Sequence, residues 1–202
     1  YLKALAAGGK PVAKENLRPE PPETGAFCLI RDGKLLRGYP NLPEAVEAAR
    51  DGDVVELRAD RLEAGLNRSE LKEGKRLTLR AAPGYRGELR QPLWLSPEDD
   101  WTLEGLHLRE YHLYRGRLVN CFGDITPGRH QMTWTRLGGR VELKRCLFPA
   151  LELKALQDGT LTIEDSAIGK LGVDGAKGRK LIVKAERSLL GNRGVYTFVN
   201  YT

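Results

Sequence analysis

Four segments of this chain repeat one short pattern, and that repeat narrows the available folds more than any other feature. They are Trp101–Leu108, Arg140–Phe148, Thr160–Ile168 and Lys180–Leu190. Each carries an apolar, a polar and an apolar residue, then a short polar corner, then apolar positions again. Leu143, Ile163 and Val183 follow one another at an even interval, and Leu103 lies two such periods before Leu143. A fixed period of this size is the mark of a solenoid whose coils stack on like coils. The expected fold is therefore all-β: a single-stranded right-handed parallel β-helix of roughly 20-residue coils. In register, Leu103, Leu143, Ile163 and Val183 form one interior column, Leu108, Phe148 and Ile168 a second, and Leu106, Cys146 and Ser166 a third. Glu104-Gly105, Lys144-Arg145 and Glu164-Asp165 fall at the corners, where the chain turns into water. Residues 109–139 break the period, and their coil boundaries stay open.

The chain divides into a tail, 1–25, and a β-helix domain, 26–202. The tail has the composition of a stiff spacer, with Arg18-Pro-Glu-Pro-Pro-Glu23 near its C-terminal end. Ala26–Ile30 is an apolar strand ended by the turn pair Asp32-Gly33. One helix follows at about 43–50: Asn41 and Glu44 have capping-box spacing, Pro43 suits the first turn, and Gly52 stops it. Placed just before the first coil strand, this helix is expected to cap the solenoid. Val54–Arg58 then points Val55 and Leu57 inward with Glu56 and Arg58 outward, and Leu77–Arg80 repeats the alternation. At the far end, Val195–Thr202 reads as a strand with no cap, which predicts self-association through its free edge. The chain starts without Met, so a piece of a longer protein is expected; it contains neither a signal peptide nor an apolar run of membrane-spanning length.

The run from Tyr39 to Arg58, with its Pro-Asn-Leu-Pro-Glu-Ala-Val helix start and Gly52-Asp53 step into a strand, resembles the opening of the pectin-lyase-like β-helix superfamily. Arg76–Tyr85 continues the likeness, which extends over about 26–202. The paired segments are similar to β-helix regions attached to planctomycete-type bacterial serine/threonine protein kinases. The resemblance implies an accessory region of a larger bacterial protein, extracytoplasmic where such a kinase is membrane-anchored. The chain itself has no Gly-rich loop with a Val-Ala-Ile-Lys strand, no His-Arg-Asp loop and no Asp-Phe-Gly.

Superfamily members include acidic-polysaccharide lyases and hydrolases, so carbohydrate-active chemistry is the competing class. Hydrolysis needs two carboxylates across one bond. The candidates are Asp99-Asp100, Asp124, Glu164-Asp165 and Asp174, the first pair reading as a turn and Glu164-Asp165 as a solvated corner. His107 alternates with Leu106 and Leu108 and is expected to face solvent. With His112 and His130 it lacks metal-ligand spacing, and Cys28, Cys121 and Cys146 read as buried free thiols, so neither metal nor cofactor is expected. Gly169–Gly178 reads as a loop between coils.

The net charge of +6 comes from 33 basic and 27 acidic residues, well mixed, which does not favour a nucleic-acid partner. The binding candidates are Arg129, Trp134, Arg136, Arg140, Lys144, Arg145 and Lys184, with Lys144 and Lys184 in equivalent corner positions on either side of Glu164. A basic and aromatic face of this kind suits an anionic glycan or a protein. The expected function is a non-catalytic binding, sensor or scaffold module.

Overall fold

Strands with a two-residue apolar alternation have one dry face, and stacking them in parallel repeats that face from coil to coil. The chain folds this way in the computed structural model, which describes residues 18–68, 73–123, 133–137, 139–155, 158–175 and 181–191, with the backbone alone for 133–137, 152–155, 172–175 and 181. Its described residues form a parallel β-helix, and among them there is one helix. Sheet A has nine strands in the order β2 (Lys34–Tyr39), β1 (Phe27–Arg31), β3 (Val54–Leu57), β6 (Thr78–Ala81), β9 (Asp100–Glu104), β12 (Arg115–Val119), β15 (Arg140–Lys144), β18 (Gly159–Glu164) and β21 (Leu181–Glu186). Sheet B stacks seven two-residue strands: β4 (Arg61–Leu62), β7 (Glu88–Leu89), β10 (His107–Leu108), β13 (Phe122–Gly123), β16 (Leu147–Phe148), β19 (Ala167–Ile168) and β22 (Leu189–Leu190). The third wall is split into sheet C, from β5 (Leu66–Asn67), β8 (Leu93–Trp94) and β11 (Tyr111–His112), and sheet D, from β14 (Thr133–Leu137), β17 (Leu151–Ala155) and β20 (Leu171–Gly175). Among the described residues, no helix is long and apolar enough to cross a membrane.

The interior columns exist, but their spacing is not uniform. In sheet A one column runs Val55, Leu79, Leu103, Leu118, Leu143, Ile163 and Ala185. The step from Leu103 to Leu118 falls short of a period and the next, to Leu143, overshoots it equally, so two unequal coils sum to the two periods read from the sequence. The last step, Ile163 to Ala185, is again longer than a period. Val183 therefore pairs with Leu161 and belongs to the neighbouring column, a correction to the even register expected from the sequence. The column of Leu108, Phe148 and Ile168 also includes Gly123, one residue after the Phe122–Leu147 pair. At the level where Gly123 contributes no side chain, the Tyr111 and Phe148 rings meet at 6.1 Å.

From β9 onward, each coil turns from sheet A to sheet B on a single left-handed residue: Gly105 (φ 66°), Asn120 (54°), Arg145 (53°), Asp165 (49°) and Arg187 (47°). Backbone bonding continues through this corner, with Gly105 N donating to Val119 O, Asn120 N to Lys144 O, Arg145 N to Glu164 O and Asp165 N to Glu186 O. That ladder outweighs the small steric penalty that Arg and Asp incur at positive φ.

The first coil is protected by two elements. The helix, α1 (Leu42–Ala48), buries Leu42, Ala45 and Val46, and Asn41 Oδ1 caps it by accepting from Glu44 N at 3.0 Å. The free edge of β3 is covered by the hairpin of β1 and β2, β1 running antiparallel to both of its neighbours. Asp32 (φ 51°) and Gly33 (φ 74°) form the hairpin turn. The sequence pattern had not revealed β2, whose residues Lys34 to Arg37 are all exposed. Residues 18–25 are strapped to the coils: Arg18 bonds both oxygens of Asp60 at 3.1 and 3.2 Å, and Tyr85 Oη donates to Pro19 O at 3.0 Å. Of the Gly169–Gly178 stretch read as a loop, Leu171–Gly175 is a strand paired with β17. The Val195–Thr202 strand lies outside the described residues.

Candidate anion-binding face

Outward residues of successive coils stack at about 4.8 Å, so the sheet A exterior is a grid of rows. Arg115 and Arg140 stand immediately before the Gly116–Val141 pair and so occupy one row, continued by Thr160 and Ile182. The next row is Arg117, Glu142, Thr162 and Lys184, and the third is Val119, Lys144, Glu164 and Glu186. Glu142 serves two guanidiniums, Arg117 at 2.9 Å and Arg140 at 2.8 Å. Arg115 has a longer ion-pair contact, 3.9 Å to Glu98. The three arginine side chains are 49%, 63% and 77% exposed, so their free donors are open to a ligand.

Glycines shape the surface beside this row. Gly116 has φ 121°, and a Cβ there would lie 2.0 Å from the Trp101 carbonyl oxygen. Only glycine lets β12 pass over the buried Trp101 and set Arg115 and Arg117 on either side. Gly139 (φ 142°) lies under the Arg115 side chain, and a Cβ on Gly159 would meet Gly139 O at 2.7 Å. The result is an open groove of about 320 Å³ lined by Gly139, Arg140, Asp158, Gly159, Thr160 and Ile182.

The residues picked from sequence are divided among three places. Arg140, Lys144 and Lys184 are on the sheet A face and Arg145 is at its corner, whereas Trp134 and Arg136 lie in β14 of sheet D, opposite Glu152 and Lys154 of β17. Arg129 lies outside the described residues, as do Asp124 and His130. Lys144 and Lys184 are not equivalent: Glu186 continues the Lys144–Glu164 row, because the last coil is longer than one period. Lys144 bonds Glu164 at 2.9 Å, and Arg145 Nε donates to Asn120 Oδ1 at 2.7 Å. Arg115 and Arg117 were missed because they follow a coil shorter than the period and flank Gly116, which stands where the pattern expects a large apolar residue.

Three of the carboxylate candidates, Asp99, Glu164 and Asp165, have structural partners. Asp99 is fully buried and accepts from Ser96 N and Lys75 N, both at 2.8 Å, and from Arg68 at 3.1 and 3.2 Å. Hydrogen bonds from Lys144 and Arg187 hold Glu164 and Asp165, respectively, below the usual carboxylate range. Glu56, expected outside, is buried between Arg58 at 3.1 Å and Arg80 at 2.7 Å. His107 is also buried rather than solvated: it stands in register with buried Glu88 and with Phe122, whose ring centroid is 5.1 Å away. Among the described residues, no three His, Cys, Asp or Glu side chains converge to hold a metal. No family profile, curated protein or solved structure matches the chain.

Proposed function

We propose that this chain is a non-catalytic β-helix binding module whose sheet A face holds an anionic polymer, an acidic glycan being the best fit. The observation behind this reading is the Arg115–Arg140 row, with Arg117 beside it and Glu142 shared between two of the three guanidiniums. Like charges one coil apart repel each other, and an anion that bridges them relieves that repulsion while using their free donors. The stacked rows repeat along the axis and so suit a ligand that repeats as well. The likeness of 39–58 and 76–85 to pectin-lyase-like β-helices, including those attached to bacterial serine/threonine kinases, supports an accessory sensor role in a larger protein. A glycosidase reading requires a carboxyl group that keeps its proton near neutral pH. Glu164 and Asp165 are shifted the other way.

The test is affinity electrophoresis against polygalacturonate, heparin and neutral dextran at low and at high salt. Retardation by the acidic polymers, weakened by salt and reduced about tenfold in Arg115→Ala/Arg140→Ala, is expected. Equal retardation by dextran, or no change in the double variant, would overturn the proposal. Turnover of an acidic polysaccharide that is abolished by Asp165→Asn would overturn its non-catalytic part.

A further inference from the structure

The turn from sheet A to sheet B carries an interior column that the anion-binding reading does not use. Leu106, Cys121, Cys146, Ser166 and Ser188 stand one residue before the paired positions of β10, β13, β16, β19 and β22. Cys121 and Cys146 are thus neighbours on successive coils, and Leu147 N donates to Cys121 O at 2.9 Å. Both are buried free thiols. Each thiol has one proton and two carbonyls within its reach: Cys121 Sγ lies 3.3 Å from Leu103 O and 3.5 Å from Val119 O, and Cys146 Sγ lies 3.3 Å from Leu118 O and 3.4 Å from Lys144 O. Burial pushes the Cys121 thiol up, while the neighbouring Cys121 side chain holds Cys146 below its ordinary value.

We propose that Cys121 and Cys146 are a redox pair that closes into a disulfide across two coils when the chain meets a hydroperoxide. Adjacent parallel strands lie about 4.7–4.9 Å apart, inside the Cα separation of about 4.4–6.8 Å that a disulfide spans. Two of the carbonyls that the thiols would leave keep backbone donors: Val119 O accepts from Gly105 N, and Lys144 O from Asn120 N, both at 2.9 Å. The Cys146 thiolate attacks one peroxide oxygen, the O–O bond breaks, and a sulfenic acid forms as hydroxide or alkoxide leaves. The Cys121 sulfur then attacks the Cys146 sulfur, the S–O bond breaks and water departs with the Cys121 proton. Overall, two thiols are oxidised by two electrons and one peroxide is reduced. The bridge would close the coil that carries β14 and Arg140. Cys28 stands in β1 opposite Glu56, at the other end of the solenoid, and serves as an internal control.

The experiment treats the reduced chain with stoichiometric hydrogen peroxide, then counts thiols in denaturant and maps peptides without reduction. Titratable thiols should fall from three to one, with a single link between Cys121 and Cys146 and Cys28 alkylated. In Cys121→Ser, which lacks the resolving thiol, dimedone should label Cys146; in Cys146→Ser, thiol loss should slow about tenfold or more. Three thiols after excess peroxide, a link through Cys28 or between molecules, or Cys146 sulfinic acid without the link would overturn the proposal. The wild-type map decides by itself if either variant fails to fold.

Discussion

Replacing Asp99 by Asn removes one oxygen from a buried carboxylate on which four donors converge. Oδ1 accepts from Lys75 N and Arg68 Nη2, and Oδ2 from Ser96 N and Arg68 Nε. An amide offers one oxygen and one NH2. In either orientation it turns a donor toward one backbone N–H and one guanidinium N–H, so rotating the side chain cannot repair the site. Each orphaned donor costs about 1–3 kcal/mol, and Arg68, itself buried, loses its counter-charge. Breaking a buried pair from one side costs about 3–5 kcal/mol, a large part of the roughly 5–15 kcal/mol that keeps a domain folded. At an m-value of about 2–3 kcal/mol/M in urea, the midpoint should fall by about 1–2.5 M with the slope unchanged. Asp100→Asn, at the exposed neighbour, should stay within about 0.5 kcal/mol of wild type. A midpoint shift below about 0.4 M for Asp99→Asn would refute the argument that this carboxylate ties one coil to the next.

The same network reaches the cap. Lys75 Nζ donates to the carbonyls of Val46, Glu47 and Ala49 at 2.7, 3.1 and 2.8 Å, closing the C-terminal end of α1. Lys75→Met should therefore cost about 1–3 kcal/mol in urea titrations, with α1 amides losing hydrogen-exchange protection before those of the central coils. The Arg31 hydrogen bond holds the Asp53 carboxyl below its ordinary value. Its contribution is then present above about pH 4, the unfolded value, and is lost as pH falls through the lower folded value. The gap in thermal midpoint between wild type and Asp53→Asn should narrow below that pH, and a gap that widens in acid would contradict the assignment. Gly116→Ala should lose about 1–3 kcal/mol to backbone strain alone, because a Cβ at φ 121° meets the Trp101 carbonyl; wild-type stability would show that β12 does not lie this close.

The architecture was legible because a solenoid repeats its chemistry. Stacked strands bury like against like, so Leu143 and Ile163 declare their partnership one period apart. The helix start was equally local, since Asn41, Pro43 and Glu44 cap the same turn that they encode. Coil length was not local information. A corner can absorb added or deleted residues while the strands keep their ladder, so a short coil followed by a long one imitates two of equal length. The longer last coil likewise moved Val183 to another column and put Glu186, not Lys184, in line with Lys144.

Partnership across coils was the other hidden quantity. Glu56 and His107 occupy outward-alternating positions, yet both are buried by neighbours contributed by other coils, Arg80 for one and Phe122 for the other. Arg115 and Arg140 are separated by more than a period, across a stretch without visible repeat, and only the ladder through Gly116 and Val141 sets them side by side. The sequence by itself determined the kind of fold, because burial at period two and repetition between coils are written residue by residue. The tertiary structure alone decided which charges share a row, because that depends on the length of every corner between them.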